Sequence, residues 1–229
     1  ILAQIFLTRQ QKIEGGYFPR RLAMSPVLVF LTLGGVAALR WRVGTDYWTY
    51  ELNFPRYVEE LAESFHIFGE PGMRLIAWIA MRTTGDSAAM FAIASVLTIG
   101  LFVATIWRWS PLFSYSIVIL IVSGAWYGSF NGVRQYIACA ILFAGHRYII
   151  DRKPAKWILV VLIAMLFHVS AFIGLLYYLV PTRKTNFRIQ IVLLAVGIIG
   201  MLGLGSLIEY LEGIDPDRWG GEYAKHSLN

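Results

Sequence analysis

Residues 131–135 combine features that suit the binding of a phosphate or diphosphate group. The segment reads Asn-Gly-Val-Arg-Gln and leads into an apolar run. Asn131 is a favourable N-cap because its side-chain oxygen accepts from the free N–H groups of a first helical turn. Gly132 permits close approach of a ligand, and Arg134 adds a full charge to the partial positive charge of the helix start. The pattern predicts an anion site; the alternative is a capped helix whose arginine reaches lipid headgroups.

A histidine lies at the centre of a later apolar run. His168 stands within the block 157–180, two positions before Ser170. A titratable side chain deep in a membrane is costly and is a functional candidate by default. A neutral imidazole in a low-dielectric site suits a general base. The alternative is a histidine that is satisfied by an interhelical hydrogen bond.

Charged and aromatic residues alternate at 40–50. Arg42 and Asp46 form a potential charge pair that serves a site or locks a loop, and Asp46 is a second candidate for the general base. Tyr47 and Tyr50 offer flat faces for sugar rings, although aromatic residues here also fit an interfacial belt.

Two further acidic features lie between 56 and 74. Glu70 and Arg74 are four residues apart, so a local salt bridge on one helix face is the favoured interpretation. The functional alternative is that Glu70 orients Arg74 or a sugar hydroxyl. The acidic run of Glu59, Glu60 and Glu63 predicts the solvated face of a surface helix at 56–66.

The composition assigns these residues to a membrane. Apolar residues form 57% of the chain and charged residues 15%, and the apolar residues occur in blocks of about twenty, the length that crosses a bilayer. The net charge of +6 therefore indicates positive-inside loops rather than a nucleic-acid surface. The single cysteine, Cys139, excludes a disulfide framework and is expected to pack between helices. No metal-ligand spacing and no nucleotide-binding glycine loop occurs, so no cofactor is predicted.

The predicted fold is all-α: a polytopic transmembrane helical bundle with re-entrant or interfacial helices. The predicted spans are 22–39, 88–107, 111–127, 133–150, 157–180 and 189–209. The outer loop 40–86 contains a helix at 72–83, which covers only about 18 Å of a ~30 Å hydrocarbon core and is taken as re-entrant or interfacial. Because residues 1–7 resemble the tail of a helix, we expect a fragment of a larger bundle.

Charge then orients the spans. Basic residues after 88–107 and 133–150 predict inner loops, which puts Asp46 and residues 131–135 together on the outer side. The basic run at 183–188 conflicts with a simple outward crossing of 157–180. Either that block turns back at His168, or the loop after it is an exception to the charge rule.

Four motifs occur in an order and spacing that resemble a known family. They are 43–50 (Val-Gly-Thr-Asp-Tyr-Trp-Thr-Tyr), 70–72 (Glu-Pro-Gly), 131–135, and 167–171 (Phe-His-Val-Ser-Ala). Across about 40–180 they resemble the EpsG family, which is associated with bacterial exopolysaccharide and capsule synthesis and is akin to Wzy-type polymerases. The family usually has more spans than this chain shows.

The resemblance implies a glycosyltransferase that polymerises sugar units carried on polyprenyl (undecaprenyl) diphosphate. Its site would face the outside of the bacterial inner membrane. We predict catalytic roles for His168, Asp46 and Arg134. We predict substrate contacts for Arg42, Tyr47, Tyr50, Glu70, Arg74, Asn131, Gln135 and Ser170. The expected partners are the lipid-linked oligosaccharide, the lipid bilayer and other polysaccharide-assembly proteins, with no nucleic acid.

The predicted chemistry is transfer from a diphosphate leaving group. Arg134, the helix start at Asn131 and Arg42 would stabilise the growing charge of the diphosphate. His168 or Asp46 would accept the proton of the attacking hydroxyl. Two other classes remain open: a transporter or flippase of lipid-linked sugars, which needs no general base, and a membrane O-acyltransferase that modifies polysaccharide.

Overall fold

The computed structural model describes residues 25–61 and 69–179, together with seven residues between 191 and 199. Contacts divide the chain into two compact units, Ile1–Val180 and Pro181–Asn229, and the first contains the elements described here. The predicted span 189–209 lies mostly outside the described residues, although its seven described residues are helical. Glu63 and the basic run at 183–188 also lie outside them.

All regular structure in the described ranges is helical, as predicted. The α-helices are α1 (Pro26–Ala38), α2 (Tyr47–Leu52), α3 (Phe54–Glu59), α4 (Pro71–Thr83), α5 (Ser87–Trp109), α6 (Phe113–Val122), α7 (Ala125–Gly128), α8 (Val133–Ala144), α9 (Arg147–Ile150) and α10 (Pro154–Met165), and a 3₁₀ segment follows at Val169–Leu179.

Helix α5 is the element against which the others pack. It has 23 residues and a mean hydropathy of 2.3 in its most apolar window, and its length of about 34 Å is sufficient to cross a bilayer. The Asp86 side chain caps its start by accepting from the Ala88 N–H at 3.0 Å. Helices α1, α4 and α8 pack on it. Among the described helices it alone has the length and composition of a span.

The other apolar helices are shorter than the predicted spans. Helices α1, α6, α8 and α10 have 13, 10, 12 and 12 residues. Helix α6 is followed by Gly124 with a φ of 82°, a left-handed conformation that breaks the helix before residue 127. Helix α8 ends at Ala144 with Gly145 as its C-cap instead of continuing to 150. The bilayer crossings of these helices stay a prediction.

The block 157–180 turns back on itself. Helix α10 ends at Met165 and the 3₁₀ segment returns beside it. The Trp157 indole donates to the Gly174 carbonyl at 3.0 Å, and Arg152 Nη1 donates to the Tyr178 carbonyl at 2.9 Å. Of the two alternatives drawn from charge, the structure therefore contains the reversal, and His168 lies in the turn itself.

Within the described ranges, the buried apolar side chains form three clusters rather than one. The cluster nearest the predicted site contains Tyr47, Tyr50, Met73, Phe91 and Ile137. Large apolar side chains on α1, α6, α10 and the 3₁₀ segment are exposed, as expected for surfaces in contact with lipid. The prediction for Cys139 is wrong, since this residue is exposed on α8 instead of packed.

Candidate functional site

Glu70 occupies the centre of the predicted site and has an unusual backbone. It precedes α4 with φ 50° and ψ 52°, in the left-handed region. Pro71 at the helix start disfavours the right-handed helical region for the residue before it. A non-glycine residue in this region costs on the order of 1–3 kcal/mol and persists only where contacts hold it. Those contacts come from Arg134, His168 and Val169, which follow Glu70 by 64, 98 and 99 residues.

The Glu70 carboxylate joins helix α8 to the turn that follows α10. Its Oε2 accepts from Arg134 Nη1 at 2.6 Å, and its Oε1 lies 2.9 Å from His168 Nδ1. The same Oε1 accepts from the Val169 backbone N–H at 2.9 Å. We call Tyr50, Glu70, Arg134 and His168 the Glu70 network. The network brings together four of the predicted site residues.

The hydrogen bond to Glu70 selects the tautomer of a neutral His168. Burial raises the pKa of Glu70, but the hydrogen bonds from His168 and Val169 and the charge of Arg134 outweigh it, so the pKa lies below its usual value. An ionised carboxylate only accepts hydrogen bonds, so the proton of a neutral His168 lies on Nδ1. Nε2 is then a proton acceptor, and it has no hydrogen-bond partner among residues 25–61 and 69–179.

Arg134 lies at the start of α8 and uses part of its donor set. Its Nε donates to the Tyr50 hydroxyl at 3.3 Å, and its guanidinium carbon lies 5.8 Å from the centre of the Tyr50 ring. Nη2 has no partner within the described ranges, and the side chain is 37% exposed. The arginine therefore holds Glu70 and keeps a donor for a ligand.

Gly72 permits the approach of α4 to the turn that carries His168. Its N–H donates to the Leu166 carbonyl at 2.7 Å. A Cβ at this position would lie 2.7 Å from Phe167 Cδ1 and 2.9 Å from the Leu166 oxygen. The sequence predicts a helix at 72–83 but not this contact. Its only sign in the sequence is the glycine itself.

The predicted anion segment at 131–135 differs from expectation. Asn131 does not cap α8; the N-cap position is Gly132, with no side-chain capping bond. The Asn131 side-chain oxygen accepts instead from the Thr45 N–H at 2.9 Å. Gly44 is required there, since it has φ 107° and a Cβ on it would lie 2.6 Å from that oxygen. The amide thus connects two motifs rather than forming a phosphate cradle.

The predicted salt bridge between Glu70 and Arg74 is also wrong. Helical i,i+4 spacing brings side chains together only if both residues are helical, and Glu70 is not. Arg74 instead bonds the Gly69 carbonyl and lies 3.3 Å from Glu60 Oε2. Glu60 is therefore paired, whereas Glu59 lies on an exposed face as predicted.

The remaining predicted residues lie outside the network. Arg42 is stacked over Trp48 at 4.5 Å, and Asp46 bonds its neighbour Thr45. Tyr47 is fully buried with its ring stacked on Phe91 at 4.3 Å, so it has no face open to a sugar. Gln135 is exposed and Ser170 half-buried.

One buried cation, Arg40, was not predicted as a site residue. Arg40 is 7% exposed, with its guanidinium carbon 5.1 Å from the rings of both Phe91 and Phe130. Its Nη1 lies 3.5 Å from the Ser129 carbonyl, while Nε and Nη2 are buried without a partner. Burial lowers its pKa to about 10. The sequence placed Arg40 only in a polar connector after a span.

The arrangement offers a proton acceptor, a carboxylate that orients it and a neighbouring cation. No group of three or more His, Cys, Asp or Glu side chains with metal-binding geometry occurs in the part of the chain that the structure describes. The chemistry that these side chains can supply is acid–base and electrostatic.

Comparison with known proteins adds one finding. Neither the curated proteins nor the solved structures contain a significant match to this chain. The model of the EpsG family matches residues 24–227, nearly the whole sequence. This agrees with the resemblance carried by the four motifs. The chain therefore belongs to the EpsG family, which suggests a function like that of a polysaccharide polymerase in a membrane.

Proposed function

We propose that this chain polymerises sugar units carried on polyprenyl diphosphate, with His168 as the general base. The proposal also holds that the protein is multi-pass in the bacterial inner membrane and that the Glu70 network faces the outer leaflet. The observation that carries it is the carboxylate of Glu70, which bridges His168 at 2.9 Å and Arg134 at 2.6 Å. Family membership supports the substrate class.

The proposed reaction is a glycosyl transfer. The hydroxyl of an acceptor sugar gives its proton to Nε2 of His168 as its oxygen forms a bond to the anomeric carbon of the donor. The bond between that carbon and the diphosphate oxygen breaks, and the polyprenyl diphosphate leaves with the electron pair. Glu70 stabilises the imidazolium that forms, as a carboxylate does in a catalytic triad. The proton then passes to water.

Arg134 would act on the leaving group. Negative charge grows on the diphosphate as the glycosidic bond breaks, and a fixed cation beside it lowers the barrier. The ion pair with Glu70 compensates part of the charge of Arg134, so its contribution would come chiefly from the unpartnered Nη2 donor. Arg42 and Asp46 have smaller roles in this proposal than the sequence implied, because neither contacts the network.

The test is polymer formation in membranes that contain equal amounts of wild type or His168→Ala. Loss of a general base lowers a rate by about 10²–10⁴-fold, and we expect polymer to fall accordingly. Leu176→Ala is the control, since this exposed residue lies on the 3₁₀ segment that follows His168 and is away from the network. Normal polymer from His168→Ala would reject the base assignment.

The same experiment separates the rival classes. A flippase of lipid-linked sugars would continue to move substrate, and linkage would proceed, without an imidazole. An O-acyltransferase would transfer label from acyl-CoA and leave polymer length unchanged. Incorporation of labelled lipid-linked sugar into polymer by the purified chain, lost with His168→Ala, fits only the proposed polymerase.

A further inference from the structure

Trp109 lies at the end of α5 and separates two cavities. Each has a volume of about 410 Å³. The first lies between α5, α6 and the end of α8, and the second between α5 and the region of α8 and α9. Both are lined by Thr105 and Trp109. The two cavities therefore adjoin along one helical turn of α5.

The first cavity is suited to an apolar chain. Its walls include Phe102, Ile106, Leu120 and Phe143, with a few hydroxyl groups between them. Ile119, which also lines it, is 50% exposed on the outer surface of α6. An apolar ligand can therefore enter from the side of the bundle, where a lipid tail would lie.

The second cavity is suited to an anion. Arg147 and Arg108 lie over the Trp109 ring, with guanidinium carbons 4.5 Å and 5.0 Å from its centre. Asp151 is the acid that lines it, and this carboxylate is shared between Arg147 at 3.1 Å and Lys153 at 3.7 Å. Arg108 is exposed and has no ion pair in the described ranges. Positive charge is thus in excess.

These cavities are independent of the Glu70 network. The aromatic contact between Tyr50 and Phe91, at 6.1 Å, places the network near the beginning of α5. Trp109 is the last residue of the same helix, about 27 Å further along at 1.5 Å per residue. The two regions therefore lie at opposite ends of the one described helix that has the length of a membrane span.

We propose that the two cavities form a single site for an anionic lipid. The phosphate would lie between Arg108 and Arg147, and the apolar chain would follow the wall of α6 into the first cavity. Basic pockets between membrane helices bind anionic headgroups in this manner, and tryptophan is favoured at the boundary. The chemistry that is recognised is a phosphate on a long apolar chain, whether a glycerophospholipid or a polyprenyl phosphate.

The test is equilibrium binding of fluorescent phosphatidylglycerol to the purified full chain in neutral detergent. Phosphatidylcholine with the same acyl chains is the reference, because its headgroup contains a phosphate but has no net charge. We expect Arg108→Gln and Arg147→Gln each to weaken binding of phosphatidylglycerol about fivefold, the usual effect of one cation near an anionic headgroup. Arg82→Gln is the matched control, because Arg82 also stacks on a tryptophan, Trp78 at 5.3 Å, but lines neither cavity.

A second variant tests the apolar half. Ile119→Trp fills the first cavity without removing a charge, so it should weaken binding of long-chain more than of short-chain phosphatidylglycerol. Displacement of the fluorescent lipid by polyprenyl phosphate would assign a polyprenyl ligand, and its failure a glycerophospholipid. Equal binding of phosphatidylcholine, or equal losses in Arg82→Gln and Arg108→Gln, would overturn the proposal. Arg108 makes no ion pair within the described ranges, so its variant remains informative if Arg147→Gln does not fold.

Discussion

The arginine side chains at the two ends of α5 differ in their bonding partners. At the Glu70 end, Arg134 is held by a carboxylate at 2.6 Å and glycine-dependent contacts bring the backbone segments together. At the Trp109 end, Arg108 lies on an aromatic ring beside open volume and makes no ion pair within the described ranges. A carboxylate that bonds several partners orients groups for reaction, whereas an open cationic cavity selects a ligand by charge. The Glu70 end of α5 is therefore suited to positioning reactive groups, and the Trp109 end to binding a charged ligand.

After His168→Ala, the largest expected effect comes from Glu70→Gln. Glu70 accepts three hydrogen bonds through two oxygens, and glutamine has only one oxygen. If that oxygen serves His168 and Val169, the amide N–H groups face the donors of Arg134. We expect a fall of about 10²–10³-fold in polymer formation, from loss of the orientation that a triad carboxylate provides.

Glu59→Gln is the control for that substitution, since it removes a carboxylate from the exposed face of α3. The double variant Glu70→Gln, His168→Ala should be no slower than His168→Ala, because residues that act as a unit are not additive. Independent, multiplicative losses would show that Glu70 does not act through His168.

Gly72→Ala should move helix α4, which follows Glu70, away from the turn that carries His168. The added methyl group would lie 2.9 Å from the Leu166 backbone oxygen, which cannot turn aside as a side chain can. Overpacking of this kind costs about 1–3 kcal/mol, measurable by thermal unfolding in detergent. Gly35→Ala on α1 is the control, since no atom lies within 4 Å of its would-be Cβ. Equal unfolding temperatures for the two variants would contradict the close approach.

Asn131→Ala should be milder. It removes the acceptor of the Thr45 N–H, and a hydrogen bond of this kind contributes about 0.5–1.5 kcal/mol. Asn131→Asp keeps an acceptor at the same place and should lose less stability. If both variants were equally destabilised, the bond to Thr45 would not be what Asn131 supplies.

The smallest effect concerns pH. The pKa of Glu70 is lowered in the folded protein, so its contribution to stability is present above the pKa of the unfolded carboxyl and is lost as pH falls through the folded value. We expect the difference in thermal stability between wild type and Glu70→Gln to shrink on acidification. A difference that is constant from neutral to acid pH would argue against an ionised Glu70.

Part of this architecture was readable in the sequence. Hydropathy identified α5 within two residues at each end, because a long apolar run without proline and with only Gly100 in its interior leaves few alternatives. Charged and helix-capping residues on either side of a short apolar run predicted helix α4. Residue chemistry selected Arg134 as a cation at a helix start, His168 as a costly titratable group in an apolar run, and Tyr50 and Glu70 as possible sugar contacts.

The hydrogen-bond and ion-pair partners of the site residues could not be predicted from the sequence. The i,i+4 rule predicted the wrong partner for Glu70 because a local rule assumes a helical backbone, and Glu70 is left-handed. Capping preference predicted the wrong role for Asn131 because Thr45, 86 residues earlier, competes for its oxygen. The site of Arg40 between Phe91 and Phe130 likewise depends on tertiary packing. Long-range contacts decide all three cases.

The reversal at residues 166–168 also has a consequence for the proposed membrane topology. Because Arg152 bonds Tyr178, the segment between them would cross the membrane twice or not at all, and the polypeptide would leave it on the side from which it entered. Reporter tags inserted after Asp151 and directly after Leu179 should therefore be accessible from the same face. Excising the intervening hairpin would remove His168 while preserving the sidedness of every loop on either flank.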